Sequence, residues 1–166
     1  MKAKTKVLIG VSAIVGLIGL ALATPIVKLA SPILSSGTVP GEIETHGKYV
    51  TTTGSTYRVS LETEGPSTIA TQIASFAVGG HNGWHKHAGM VAVTVTQGQI
   101  QWFDENCNMT TYNAGDSWTE GDKVHSFRNS GTVPVQLTAT YIIAQGVALR
   151  LDDAVPPACA AALGLT

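Results

Sequence analysis

The sequence predicts an all-β domain, a double-sheet jelly roll or small barrel, behind an N-terminal segment of a different kind. Three observations carry this. From Thr51 onward β-branched and aromatic residues dominate, broken about every ten residues by Gly, Asn, Asp or Pro. No internal stretch repeats apolar residues at helical spacing, apart from a short turn near Ala160 within Asp152–Leu163. Many short strands with regular turn signals are the pattern of a sandwich or barrel.

Lys2, Lys4 and Lys6 open the chain, and an apolar run follows from Val7 to Ala23 (VLIGVSAIVGLIGLALA). A basic start, an apolar stretch and the A-x-A-like Ala21-Leu22-Ala23 make a secretory signal. Extended to Val27 the run reaches 21 residues, about enough to span a bilayer uncleaved. Either way the lysines stay inside, and the expected location of the domain is extracytoplasmic, secreted or anchored. The expected division is 1–27 signal peptide or membrane anchor, 28–45 linker and 46–166 one domain. The linker reading rests on the Pro, Ser and Gly of PIVKLASPILSSGTVPG.

Strands are expected at Tyr57–Glu62, Thr68–Val78, Val91–Thr96, Gln99–Phe103, Thr110–Asn113, Asp116–Trp118, Ser126–Asn129 and Val135–Ala144. In Met90–Thr96, Val91, Val93 and Val95 alternate with Ala92, Thr94 and Thr96. Alternate side chains of a strand share a face, so one face is wholly apolar. His85 and His87 have the parity of the valines and would point inward with them if no break intervenes at Ala88-Gly89. Gly98 falls between two strands and is expected to serve a turn.

The charge excludes one class of partner. Outside Lys2, Lys4, Lys6 and Lys28 the chain has 6 basic and 11 acidic residues, a balance of −5. A mildly acidic domain without a basic stripe is no nucleic-acid binder. Two cysteines, Cys107 and Cys159, suggest one disulfide in an exported chain. Closing a loop of about 50 residues is worth roughly 4 kcal/mol on the chain-entropy model. Two free, buried thiols are the other reading.

Five histidines are present, His46, His81, His85, His87 and His125. His85-Lys86-His87 on a strand puts two imidazoles on one face, about 6–7 Å apart at Cα, which suits chelation. Gly79-x5-His85-x-His87 followed by Gly98 resembles the first motif of the cupin family. Gly115–Asn129 (GDSWTEGDKVHSFRN) resembles the second, and the likeness runs from about Ile69 to Ile143. The resemblance implies a cupin barrel in which His85, His87 and His125 hold a divalent metal. Two departures stand out. The Glu of the first motif falls at Val91 or Ala92, neither of which ligates. The second motif is one residue short before His125, with Gly121 in place of its Pro.

Three neutral imidazoles suit Fe, Zn, Ni or Cu better than Mg or Ca, and three protein ligands leave open positions. A pocket without metal is the competing reading. His81 is a lesser candidate for fourth ligand, His46 a surface residue. Glu120 and Asp122 either approach His125 and set its tautomer or form a solvated acidic turn. Trp84, Val91, Val93 and Trp118 are the candidate substrate-pocket residues, whereas Trp102 and Phe127 read as barrel wall. Asn129 is expected to close a turn through its side chain. Three function classes follow: a metal-dependent oxygenase- or isomerase-like enzyme, a non-catalytic small-molecule or metal binder, and a barrel that pairs through a sheet edge as a homodimer. The N-terminal segment gives membrane attachment if uncleaved.

Overall fold

The computed structural model describes residues 26–152 and 155–165. The signal or anchor helix expected in 1–27 lies almost wholly outside them. Among the described residues no helix is long and apolar enough to cross a membrane.

The architecture is a nearly closed, all-antiparallel jelly roll. Its elements are β1 (Val27–Ala30), β2 (Ile33–Val39), β3 (Glu44–Val50), β4 (Thr56–Glu62), β5 (Ser67–His81), β6 (Gly89–Gln97), β7 (Gln99–Phe103), β8 (Met109–Asn113), β9 (Ser117–Glu120), β10 (Ser126–Arg128), β11 (Val135–Ala144) and α1 (Ala160–Leu163). The main sheet runs β8-β7-β10-β5-β11-β6-β9, with β1 and β2 also on β5. The β3–β4 hairpin forms a sheet of its own.

The eight expected strands are all present with small shifts of their ends. The linker reading of 28–45 needs correction. β1 pairs Leu29 with Phe76, and β2 pairs Ile33 with Gln72 and Val39 with Ser67. β3 begins inside the same stretch, at Glu44. β2 is exposed at nearly every position, so the apolar alternation that marks a half-buried strand is missing from its sequence. Its order comes from backbone pairing with the 15-residue β5.

The core follows the period of two. β11 alternates buried and half-buried residues almost without exception. Val91, Val93 and Val95 are buried while Ala92 and Thr96 face out. His85 and His87 are buried as well, so the inward parity survives Ala88-Gly89. Gly98 has φ 78°, and a Cβ there would lie 2.9 Å from the Pro134 carbonyl oxygen, so the β6–β7 turn needs glycine.

Asn129 closes its turn as expected. Its Nδ2 donates to the carbonyls of Phe76 and Val133 at 3.1 and 2.9 Å, and its Oδ1 accepts from the Gly131 N–H at 3.0 Å. The side chain is fully buried, so Asn129→Ala orphans three backbone groups. We expect a loss of about 3 kcal/mol, measurable as a lower midpoint of chemical unfolding.

Cys107 and Cys159 form a disulfide across a sequence separation of 52, with Cα atoms 6.4 Å apart. The bond pins the C-terminal tail over one end of the barrel. There Ala160 and Leu165 pack on Trp84 and Phe103 as a second apolar cluster. Arg128 Nη1 donates to the Leu163 carbonyl at 2.7 Å and holds the same tail.

Candidate metal centre

His85 and His87 stand just before β6, and His125 just before β10. A backbone bridge brings the two segments together: His85 N–H donates to His125 O at 3.0 Å, and His125 N–H to His85 O at 2.9 Å. The ring centroids of His85, His87 and His125 lie 4.4 to 5.1 Å apart. One nitrogen from each ring lies within 4.8 Å of the others. The three side chains expected to converge do converge, and all are buried.

Each ring is held by a backbone carbonyl. Nδ1 of His85, His87 and His125 contacts Gly83 O at 3.1 Å, Leu149 O at 2.6 Å and Lys123 O at 2.8 Å. A carbonyl only accepts, so each Nδ1 carries the proton. In the neutral ring that leaves the lone pair on Nε2, the arrangement of a ligating histidine. Burial first, then the charges of His125, Arg150 and His87, pushes the His85 pKa well below its ordinary value, which favours the neutral ring.

Glu120 is the residue of the candidate site that sequence reasoning undervalued. Its side chain is 2% exposed, not the solvated acidic turn the sequence suggests, and Oε2 lies 3.4 Å from His87 Nε2 and 3.2 Å from His125 Nε2. Oε1 accepts from Trp102 Nε1 at 3.1 Å and from Trp118 Nε1 at 2.8 Å. Burial alone would oppose ionisation, but the contacts with His125, His87 and Trp118 outweigh it and hold the carboxyl far below its usual range. The register pairs Glu120 with Val91, and directly opposed residues share a face. The carboxylate that the first motif lacks at Val91 thus arrives from the neighbouring strand.

Among the described residues, Nε2 of His87 and of His125 is buried without a hydrogen-bond partner. Both nevertheless lie beside an anionic oxygen. Two lone pairs aimed at a carboxylate repel unless a cation or proton sits among them. A three-imidazole, one-carboxylate donor set therefore fits a divalent transition metal.

A cavity of about 100 Å³ opens beside this cluster, with His85, His87 and Glu120 on its wall. Of the four expected pocket residues only Val93 lines it. Trp84 is 0% exposed and packs beneath the C-terminal tail, away from the mouth. Val91 belongs to the core, and Trp118 stacks on Tyr112 while holding Glu120. The lining comes instead from β1, β5, β11 and the segment after β11, including Leu29, Phe76, Tyr141 and Arg150. His81 pairs with Arg128 at the end of β5 and stands outside the cluster. His46 is on the surface, bonded to Ser60 at 2.9 Å.

The chain is thus a small antiparallel β-barrel with buried imidazoles and one buried carboxylate beside an internal cavity. Residues 72–141 match the family model described as a cupin domain. Solved structures similar to it include a cupin superfamily protein from Desulfitobacterium hafniense, at 16% identity over 46% of this chain and 68% of that one, TM-score 0.42. A protein described as a predicted oxalate decarboxylase from Thermotoga maritima is 22% identical over 48% and 82% of the two chains, TM-score 0.39. A cupin sugar phosphate isomerase from Silicibacter pomeroyi is 18% identical over 43% and 48%, TM-score 0.40. None of the curated proteins compared with the chain matches it.

Proposed function

We propose that this chain is an extracytoplasmic cupin whose His85, His87 and His125, with Glu120 as a fourth donor, hold one divalent transition metal beside a small-molecule pocket. The observation that carries the reading is the pair of orphaned Nε2 atoms of His87 and His125 beside the buried Glu120 carboxylate. Imidazoles alone favour Fe, Zn, Ni or Cu, and an anionic oxygen donor also makes the site hospitable to Mn(II). When bound, such a metal supplies Lewis-acid or O2-binding chemistry to a ligand in the cavity.

The protein's own part is to position and to shield. Three backbone carbonyls fix the imidazole tautomers, Trp102 and Trp118 fix the carboxylate, and apolar side chains of β1, β5 and β11 limit water at the site. Among the groups that face the cavity, Tyr141 donates its hydroxyl to Gln72 Oε1 at 2.8 Å, and burial first, then Glu120, pushes its pKa up to about 12. Tyr141 therefore stays protonated at neutral pH, so the wall offers no ready phenolate base. The basic-apolar N-terminal segment and the disulfide both support an oxidising, extracytoplasmic setting.

Elemental analysis of the purified protein, wild type and His87→Ala, is the test. It should use a chain that retains β1 and β2. One equivalent of a transition metal is expected in the wild type and less than a tenth of that in the variant. Absence of metal from both after incubation with Zn, Fe(II), Ni, Cu(II) and Mn(II) salts would leave a binding pocket without metal. If metal is present, oxygen uptake with thiols, diketones and phenols separates an oxygenase from a binder.

A further inference from the structure

The same cavity carries a feature that the metal reading does not use. Arg150 lies on its wall, and the side chain is only 18% exposed. Its backbone is fixed from both sides. Leu149 O takes the His87 Nδ1–H at 2.6 Å, and Leu151 exchanges two backbone hydrogen bonds with Lys86, at 3.0 and 3.2 Å. Nε pairs with Asp152, which is half-exposed on the outer side. Nη2 is buried with no hydrogen-bond partner among the described residues. A guanidinium N–H left unpaired away from water is costly and is ordinarily matched by an acceptor. The same cavity is lined by apolar Phe76, Phe127, Leu137 and Ala139, with Gln72 and Glu120 among its polar members.

We propose that the pocket takes a small monocarboxylic acid, its carboxylate on Arg150 and its compact apolar body against the β5 and β11 wall. This deepens the reading above by naming a ligand class for the same site, and it rests on that reading only for the place, since Arg150 is part of no metal ligand set. Arg rather than Lys suits the role, because the planar guanidinium still offers its Nη edge to a carboxylate while Nε is engaged by Asp152. The cavity of about 100 Å³ sets the scale of the guest, well short of the roughly 300 Å³ and more of drug-sized sites.

Benzoate and its neutral isostere benzamide are the probes, titrated calorimetrically into the full chain, both Zn-loaded and treated with chelator. Benzoate is expected to bind on the order of tenfold or more tighter than benzamide in both states, as a charge-assisted hydrogen bond implies. The preference should vanish in Arg150→Gln and survive in part in Arg150→Lys. Equal affinities for the two probes in the wild type, or unaltered benzoate binding by a folded Arg150→Gln, would overturn the proposal. Should that variant not fold, Asp152→Asn decides. Freeing Nε strengthens benzoate but not benzamide, and an unchanged benzoate affinity counts against Arg150. A chain that takes no metal yet shows the Arg150-dependent preference keeps this inference and ends the metal reading; a metal-binding chain without the preference does the reverse.

Discussion

Glu120→Gln is expected to fold normally and to lose about a hundredfold or more in metal affinity, because it removes the one anionic donor and keeps the side chain's shape. The amide oxygen can still accept from Trp102 and Trp118, which contact Oε1 in the wild type at 3.1 and 2.8 Å. The amide NH2 can donate toward the Nε2 atoms of His87 and His125, which now face a carboxylate at 3.4 and 3.2 Å. In chelator the variant should therefore be at least as stable as the wild type. At saturating metal the wild type should gain on the order of 2.7 kcal/mol over the variant for each hundredfold of affinity. Thermal melts of both proteins with and without Zn give this directly. If Glu120 were only a buried structural acid, the variant would be destabilised alike with and without metal, and its metal affinity would hardly change.

The second large effect is on stability. Replacing Cys159 with alanine, with Cys107 replaced to match, is expected to cost about 4 kcal/mol, because the bond closes a loop of 52 residues' separation. A domain of ordinary stability has only about 5–15 kcal/mol in total, so the loss is a large share. It should also be local in character. Without the bond, α1 and the tail have Arg128 and the contacts of Ala160 and Leu165 with Trp84 and Phe103 to hold them. Partial release would let water reach Trp84 and shift its fluorescence to the red before global unfolding. A double variant with a wild-type unfolding midpoint and an unshifted spectrum would show that packing alone secures the tail.

What the sequence reveals and what it hides divide along physical lines. The strands from Tyr57 onward are legible because they alternate or carry β-branched runs, and β11 shows the clearest pattern of burial. The inward parity of His85, His87 and the three valines follows from the same period of two. β2 escapes because it lies exposed on β5 and its order comes from backbone pairing that leaves no mark in composition, and β1 escapes because its alternation of half-buried and exposed residues is only four residues long. Glu120 escapes for a different reason. In the local string Thr119-Glu120-Gly121-Asp122 it reads as a solvated turn. Only the register with Val91 and the two indole donors, from a distant strand and from two residues back, make it a buried anion. The signal that was present is the vacancy at Val91, a motif position without its carboxylate, which poses the question of where the charge comes from. Trp84 and Trp118 misled by sequence proximity. One supports the tail cluster and the other orients Glu120. Arg150 carries no local signal either, since its place at the cavity depends on the bridge between Leu151 and Lys86.

The most direct measurement is X-ray absorption at the metal edge of the Zn-loaded full chain. Multiple scattering from three imidazoles and one oxygen donor, all at about 2.0–2.2 Å, is the predicted spectrum, with the oxygen contribution altered in Glu120→Gln. Fewer than three imidazoles, sulfur in the coordination sphere, or the failure of the chain to retain one equivalent of metal would contradict it.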